Sequence, residues 1–516
     1  MSSRTKKSSK NLITTFLQQF LNAALGVAVR TVFIYVLGKE YLGLNGLFTN
    51  VLSMLSLTDL GFGVAINYKL YKPLAEHDDH TIRIYLKFYK YIYRIVSCVI
   101  FVLGVLLIPV LPTLIKDYDR FDALGINAVL IYLLYLMRSV SSYLFFAYKS
   151  AIVKADQKSY LLNTANIVVD IVSSIAQIVV LIILHNYIIY LIVLLGFSIL
   201  QNFIFAQIAT KRYPTYFIKE SDSLSKKEII ELFKDCSALL VFKADNVILK
   251  ASDNLILSAF QGITLVGLYS NYMMFYTIIK GILSKMYDSV KASMGNFFAV
   301  ENIERKYTFF KTTNLITFIL FGTAAGGIAI VSNELIVCWL GTDYLIQQPL
   351  AVLMGIELLF SGIKKNLNQI RTISGIIQQM WYRPIIGIFI NLIVSFIGVQ
   401  IWGINGVVLG TIMAYVFSNF AVDPLVIYRY TFTDYKSVSE YYRRNFGYMA
   451  VLTVTCIAAR WLCSIIVVGY AWFSVIVHSL ICAVMIPAAF VLVYFKTEEC
   501  QYLIKKVYMI KSKWGK

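Results

Sequence analysis

Charge is scarce in this chain of 516 residues: 15% are Asp, Glu, Lys or Arg and 59% are hydrophobic, whereas an average soluble domain is about a quarter charged. That ratio excludes a soluble globular fold. Long alternating apolar and polar runs are lacking, which argues against a membrane barrel. The seven cysteines (Cys98, Cys236, Cys338, Cys456, Cys463, Cys482, Cys500) contain no C-x-x-C pair. They therefore indicate neither a zinc site nor a disulfide framework, and read as small buried hydrophobes. A G-x-x-x-x-G-K-[ST] phosphate loop is missing, which argues against ATP hydrolysis. Of the four histidines, His77 and His80 flank Asp78 and Asp79 in a turn that reads as solvated rather than metal-binding, and His185 and His478 stand isolated.

What is present is apolar sequence in blocks of roughly 20 residues or more, long enough to cross a hydrocarbon core about 30 Å thick as helices. Hydropathy and loop breaks predict an all-α polytopic membrane protein of about 14 spans: 12–37, 41–69, 84–112, 123–148, 159–184, 187–210, 237–261, 264–289, 307–331, 345–374, 382–401, 404–428, 445–469 and 473–495. The basic start (Arg4, Lys6, Lys7, Lys10) leads into a run too long for a signal-peptide core, so a retained first helix is expected. The net charge of +19 reads as topology rather than nucleic-acid binding. With the N-terminus inside, the cytoplasmic segments collect most lysines and arginines, and the outer loops hold little beyond Lys39, Lys116, Arg120 and Arg460. Both termini are then cytoplasmic. The outer loops, 113–122 and 332–344 the longest, are too short for a domain. They gather none of the acids or nucleophiles that a membrane glycan polymerase or ligase needs, so an enzyme is disfavoured.

The expected organisation is a six-helix half over 1–210, a cytoplasmic linker over 211–236, a second six-helix half over 237–430, and an extra helix pair with a basic tail over 431–516. Ser225 and Glu228 form an S-x-x-E capping box in the linker. With Ile229, Ile230, Leu232 and Phe233 they predict a short helix on the inner membrane surface. The halves resemble one another weakly. YLGLNGLFTN at 41–50 lies on LVGLYSNYMM at 265–274, matching Gly43 with Gly267, and the turn before Tyr160 lies on the turn before Tyr382 at nearly the same offset.

Charges inside the spans are the candidate functional residues, because an ionised group at bilayer depth costs at least a few kcal/mol and ordinarily faces a bundle interior or a wet cavity. The stretch from Arg30 to Lys72 joins two spans with Arg30 in the first and Asp59 in the second. For each alone, a snorkelling or helix-pairing role is as good a reading as a cavity role. Recurrence favours the cavity: Arg138, Asp170, Lys243, Asp245, Lys250, Asp253, Lys280, Glu357, Lys364, Lys365 and Arg371 follow. In VFKADNVILKASDN, Lys243, Lys250 and Asp253 fall near one helix face while Asp245 points elsewhere. Lys364, Lys365 and Arg371 are expected to snorkel to the cytoplasmic surface. Asp170 and Glu357 are either coupling-ion sites or carboxylates hydrogen-bonded between helices. Glycines at 43–46, 61–63, 322–327 and 403–410 permit close helix approach.

Taken together, LGKEYLGLNGLF, LTDLGFGVAINYKLYKPLAEHD, AIVKADQKSYLLN and IWGINGVVLGT resemble the Wzx-type polysaccharide flippases, which share a superfamily with MurJ-like lipid flippases and MATE drug exporters. The resemblance implies a bacterial cytoplasmic-membrane flippase for undecaprenyl-diphosphate-linked oligosaccharide. It would work by alternating access between the two halves in cell-surface polysaccharide pathways such as those of capsule and exopolysaccharide, alongside polymerase and other assembly proteins. It assigns no binding residue position by position. A diphosphate bearing a glycan needs a wet cavity with fixed cations, and Arg30, Arg138, Lys243, Lys250 and Lys280 are the expected lining. Asp59, Asp170, Asp245, Asp253 and Glu357 are the expected candidates for sodium or proton coupling, with no catalytic residue, metal or cofactor. A MATE-like cation-coupled exporter is the alternative in the same fold, and would favour carboxylates in its cavity. A structural scaffold leaves the intramembrane charges unexplained.

Overall fold

The structure, a computed structural model, describes residues 3–56, 62–116, 118, 126–218, 220, 222–346, 349–433, 435–466 and 471–505, without the side chains of 3–9, 64, 235–243, 246, 250 and 292. The described parts of the expected spans are mostly helical, and no strand occurs among the described residues. The chain is an all-α polytopic membrane protein: nine helices among the described residues are long and apolar enough to cross a membrane, or ten counting one bent pair. Contacts divide it into two compact units, Met1–Ser270 and Asn271–Lys516.

The first unit contains α1 (Ser3–Leu37), α2 (Lys39–Leu55), α3 (Phe62–Glu76), α4 (Asp79–Leu106), α5 (Ala128–Leu144), α6 (Ser150–Ala155), α7 (Ser159–Leu184), α8 (Tyr187–Arg212), α9 (Lys226–Gln261) and the opening of α10 (Ile263–Val300). The span expected over 41–69 is carried by α2 and α3, and Asp59 lies outside the described residues. The chain bends by 43° between α5 and the segment 147–155. Short polar side chains start the helices by accepting otherwise orphaned amides. Asp78 accepts from the Thr81 amide at 3.0 Å to open α4, and Asn186 from the Ile188 amide at 2.9 Å to open α8.

Ser225 and Glu228 form the expected capping box: the Ser225 amide donates to Glu228 Oε2 at 2.8 Å and the Glu228 amide to Ser225 Oγ at 3.3 Å. The helix they open does not stop as a separate short element. It runs unbroken to Gln261, because no glycine or proline interrupts residues 226–261. By its contacts α9 belongs with the first unit, where it packs on α2 and α3.

The internal match has a structural counterpart in this unit. Gly38 before α2 and Gly262 before α10 both take positive φ, 85° and 89°, which glycine alone adopts without strain. Five residues into each helix, Gly43 and Gly267 meet: a Cβ on Gly43 would lie 2.1 Å from the Ile263 carbonyl oxygen, and one on Gly267 would lie 3.1 Å from the Gly43 amide nitrogen.

One helix turns polar side chains inward, beside the buried Leu162, Val169 and Leu181, and apolar ones outward. On α7 the buried face carries Ser173, Ser174 and Gln177, while Val168, Val172, Ile175, Val179 and Ile182 are exposed. That partition is stable only where the surroundings are hydrocarbon.

The second unit continues α10 and adds α11 (Ile303–Leu340), α12 (Leu350–Ile373), α13 (Arg383–Trp402), α14 (Ile404–Ala414), α15 (Val422–Thr431), α16 (Val438–Ile465) and α17 (Ala471–Tyr494). Small residues set its tightest crossings. A Cβ on Gly406 of α14 would sit 2.0 Å from the Gly398 carbonyl oxygen of α13, and Gly355 of α12 rides on Ala325 of α11 in the same way. Between α14 and α15 the backbone widens into a π-turn over Tyr415–Phe420. Pro424 follows, and having no N–H to return to residue 420, its ring would clash in a regular α-turn.

Candidate functional site

Polar and charged side chains gather in the interior of each unit. In the first, α1, α5 and α8 converge on an aromatic cluster. Phe33 of α1 packs edge-on against Tyr187 and Tyr190 of α8, with ring centroids 5.5 and 5.4 Å apart, and Tyr41 lies 4.9 Å from Tyr187. The hydroxyls of Tyr135 and Tyr187 share a hydrogen bond of 3.1 Å. Tyr190 lies within electrostatic range of both Arg30 and Arg138. Arg30 is half-buried and donates to Ser270 Oγ, which in turn donates to the Gly267 carbonyl at 2.6 Å. Arg138 is exposed. Two of the expected cations, 108 residues apart in sequence, thus share one tyrosine-lined region.

Lys243 and Lys250 sit on α9, but their side chains lie outside the described residues. Asp245 and Asp253 of the same helix are both buried, at 1% and 7% exposure. Asp170 of α7 lies within reach of the Asn22 side chain of α1.

In the second unit, α12 presents a polar stripe at helical spacing: Glu357, Ser361, Lys364 and Arg371 are all buried. Lys280 of α10 donates from Nζ to the Tyr276 hydroxyl at 2.9 Å, and that hydroxyl donates to Glu357 Oε1 at 2.7 Å. Expected cation and expected carboxylate are therefore joined through a tyrosine. The Lys364 ammonium lies 4.8 Å above the ring of Tyr415, and the Lys280 ammonium 5.8 Å from the same ring. The π-turn positions Tyr415 and also Asn419, whose amide donates to Asp423 Oδ2 at 3.0 Å. Arg383 Nε lies 3.3 Å from Asp423 Oδ1.

Two sequence expectations change here. Lys364 and Arg371 do not snorkel: at 5% and 6% exposure they belong to the buried stripe of α12, because the stripe faces the packed interior. Lys365, one position round the helix, pairs with Asp288 at 2.6 Å. His478 is not isolated either. Its Nδ1 lies 2.7 Å from Glu334 Oε2 and its Nε2 3.1 Å from the Ile466 carbonyl oxygen, since α17 packs on α11.

The sequence reading passed over Asp423, Tyr276 and Tyr415. An aspartate next to Pro424 inside an apolar run was the available signal for the first. Nothing marks the two tyrosines among the 36 in the chain.

Away from the spans, His80 Nε2 lies 3.0 Å from Asp222 Oδ2, with Glu220 beside it, a grouping of metal-ligand type. Arg83 Nε bonds Glu220 at 2.8 Å. This donor holds the Glu220 carboxyl below the usual carboxylate range and places a competing positive charge on the same group.

The family model described as "Polysaccharide biosynthesis protein" matches residues 8–290, more than half of the chain. No curated protein matches the sequence. Among solved structures, the chain is similar to the lipid II flippase MurJ in an inward closed conformation, with 15% identity, TM-score 0.63, and coverage of 93% of this chain and 98% of that one. An inward-facing MATE family multidrug resistance transporter of the MOP superfamily aligns at 13% identity and TM-score 0.61, over 82% of this chain and 99% of that one. A MATE transporter of Vibrio cholerae aligns at 12% identity and TM-score 0.55, over 83% and 98%. Identities this low establish a shared fold.

Proposed function

Because this chain belongs to the polysaccharide biosynthesis protein family, we propose that it is a flippase. Its cargo is an undecaprenyl-diphosphate-linked oligosaccharide repeat unit, carried from the inner to the outer leaflet of the bacterial cytoplasmic membrane by alternating access. The observation that supports this reading is Arg30, half-buried and donating to Ser270, one helical turn from Phe33, which packs on Tyr187 and Tyr190 in the first unit. Guanidinium groups recognise phosphate oxygens through a planar fork, and flanking tyrosines offer rings and hydroxyls to a glycan. Lys280 and Lys364, set over tyrosine rings in the second unit, supply further fixed positive charge. The polyprenyl tail stays in lipid, so only the diphosphate and sugars need a wet route.

Glu357, Asp170, Asp245 and Asp253 are the groups through which sodium or protons would be coupled to movement. Both termini lie in the cytoplasm in this reading, and polymerase and other assembly proteins act on the delivered cargo. The cations of the first unit, Arg30 and Arg138, set this reading above a MATE-like exporter, since they would repel a cationic drug.

The test is reconstitution. Proteoliposomes loaded on one leaflet with a polyprenyl-diphosphate oligosaccharide should expose it to an external glycan-cleaving enzyme faster than protein-free vesicles. Arg138→Ala should slow that exposure at least tenfold. Equal rates with and without protein, together with efflux of a cationic dye, would replace this reading with the exporter.

A further inference from the structure

A cleft of about 280 Å³ opens beside the first turns of α16 and the end of α17, lined by Glu440, Arg443, Arg444, Tyr494, Thr497 and Glu499. Its charges are unevenly matched. Arg444 pairs with Glu440 and lies 3.8 Å from Glu499, and Glu499 also accepts from the Tyr448 hydroxyl at 3.0 Å. The two carboxylates are thus satisfied by one arginine and a tyrosine. Arg443 is exposed and, among the described residues, has no carboxylate partner. Gly447 keeps the cleft open, since a Cβ there would come within 3.2 Å of the Tyr494 hydroxyl.

The surroundings of this guanidinium are apolar in one direction. Along α16, Phe446, Val454, Ile457 and Trp461 recur at helical spacing from Arg443 and are 60%, 68%, 65% and 66% exposed. At 1.5 Å per residue this stripe runs about 22 Å, the order of an extended acyl chain. A free cation in a cleft at one end of a lipid-facing stripe matches the shape and polarity of a phospholipid.

We propose that this cleft is a binding site for the phosphodiester headgroup of a membrane phospholipid. Arg443 takes the phosphate, the Tyr494 hydroxyl donates to it, and the acyl chains lie along α16. The site is separate from the residues assigned to cargo above and does not depend on that reading.

Native mass spectrometry of the full chain, titrated with phosphatidylglycerol and separately with glycerol 3-phosphate, tests it. The wild type is expected to hold one phosphatidylglycerol more tightly than the rest and to bind no glycerol 3-phosphate at the same concentration. Arg443→Gln should weaken that lipid at least fivefold, Gly447→Leu should do the same by filling the cleft, and Arg429→Gln elsewhere in the unit should not. Lipid binding by Arg443→Gln equal to wild type overturns the proposal. Tight binding of glycerol 3-phosphate also overturns it, in favour of a soluble phosphate ligand. Should Gly447→Leu fail to fold, Arg443→Gln alone decides.

Discussion

Nε of Arg383 lies 3.3 Å from Oδ1 of Asp423, and each side chain is only 1% exposed. Arg383 opens α13 and Asp423 opens α15, so this ion pair ties two helices across the π-turn segment. Removing one member takes away the principal countercharge of the other buried group, and breaking a buried pair costs about 3–5 kcal/mol. Asp423→Asn and Arg383→Met are each expected to lower the thermal midpoint of the detergent-solubilised protein strongly. The double variant Arg383→Met, Asp423→Leu should recover at least half of that loss. A double variant as unstable as the worse single one would mean that the pair does not act as a unit.

Tyr276 is expected to be the coupling element between Lys280 and Glu357. Tyr276→Phe removes the hydroxyl that accepts from one and donates to the other. A double-mutant cycle of Tyr276→Phe with Glu357→Gln, read as transport rate, should return an interaction of about 0.5–3 kcal/mol. Strict additivity would show that Tyr276 and Glu357 act independently in transport.

The crossing of α13 and α14 is expected to tolerate no side chain. Gly406→Val would drive methyl groups into the Gly398 backbone, 2.0 Å from the position of the added Cβ, and overpacking of this kind costs about 1–3 kcal/mol or more. Gly327→Ala meets nothing within 4 Å and should be neutral. Quantifying folded protein in membranes for both variants separates the two, and similar yields would contradict the close approach.

The polar segment before α9 should loosen in acid. Hydrogen bonding from Arg83 holds Glu220 below the usual carboxylate range, and bonding from Thr81 does the same for Asp78. A depressed carboxyl stabilises the fold above its unfolded pKa of about 4 and loses that contribution as pH falls through the folded value. Hydrogen exchange at residues 220 and 222–226 and the start of α4 should be slow at pH 7 and accelerate below about pH 4 after correction for intrinsic rates. Unchanged protection at low pH would show that these contacts do not hold the segment.

How much of this was legible in the sequence follows from which forces act locally. Span positions and helix starts are local, and the Ser225–Glu228 capping box and the span at 159–184 are read directly from periodicity and residue type. The continuity of α9 was readable too, since nothing between 226 and 261 breaks a helix. Partner choice is not local. Arg383 and Asp423 meet across 40 residues, Glu334 and His478 across 144, and hydropathy weighs each charge alone. The polar stripe of α12 shows the difference: its spacing was in the sequence, but whether Lys364 and Arg371 reach for water or for the interior depends on what packs against that face.

The central claim is that this chain moves a lipid-linked glycan between leaflets. Its most direct test is the leaflet location of polyprenyl-linked sugars in cells depleted of the protein, read by mass spectrometry after treatment with an impermeant glycan-cleaving enzyme. A diphosphate-linked oligosaccharide that accumulates and is protected from the enzyme is the predicted result. Lipid-linked sugars unchanged in amount and still cleaved from outside, in a strain with no compensating transporter, would contradict it.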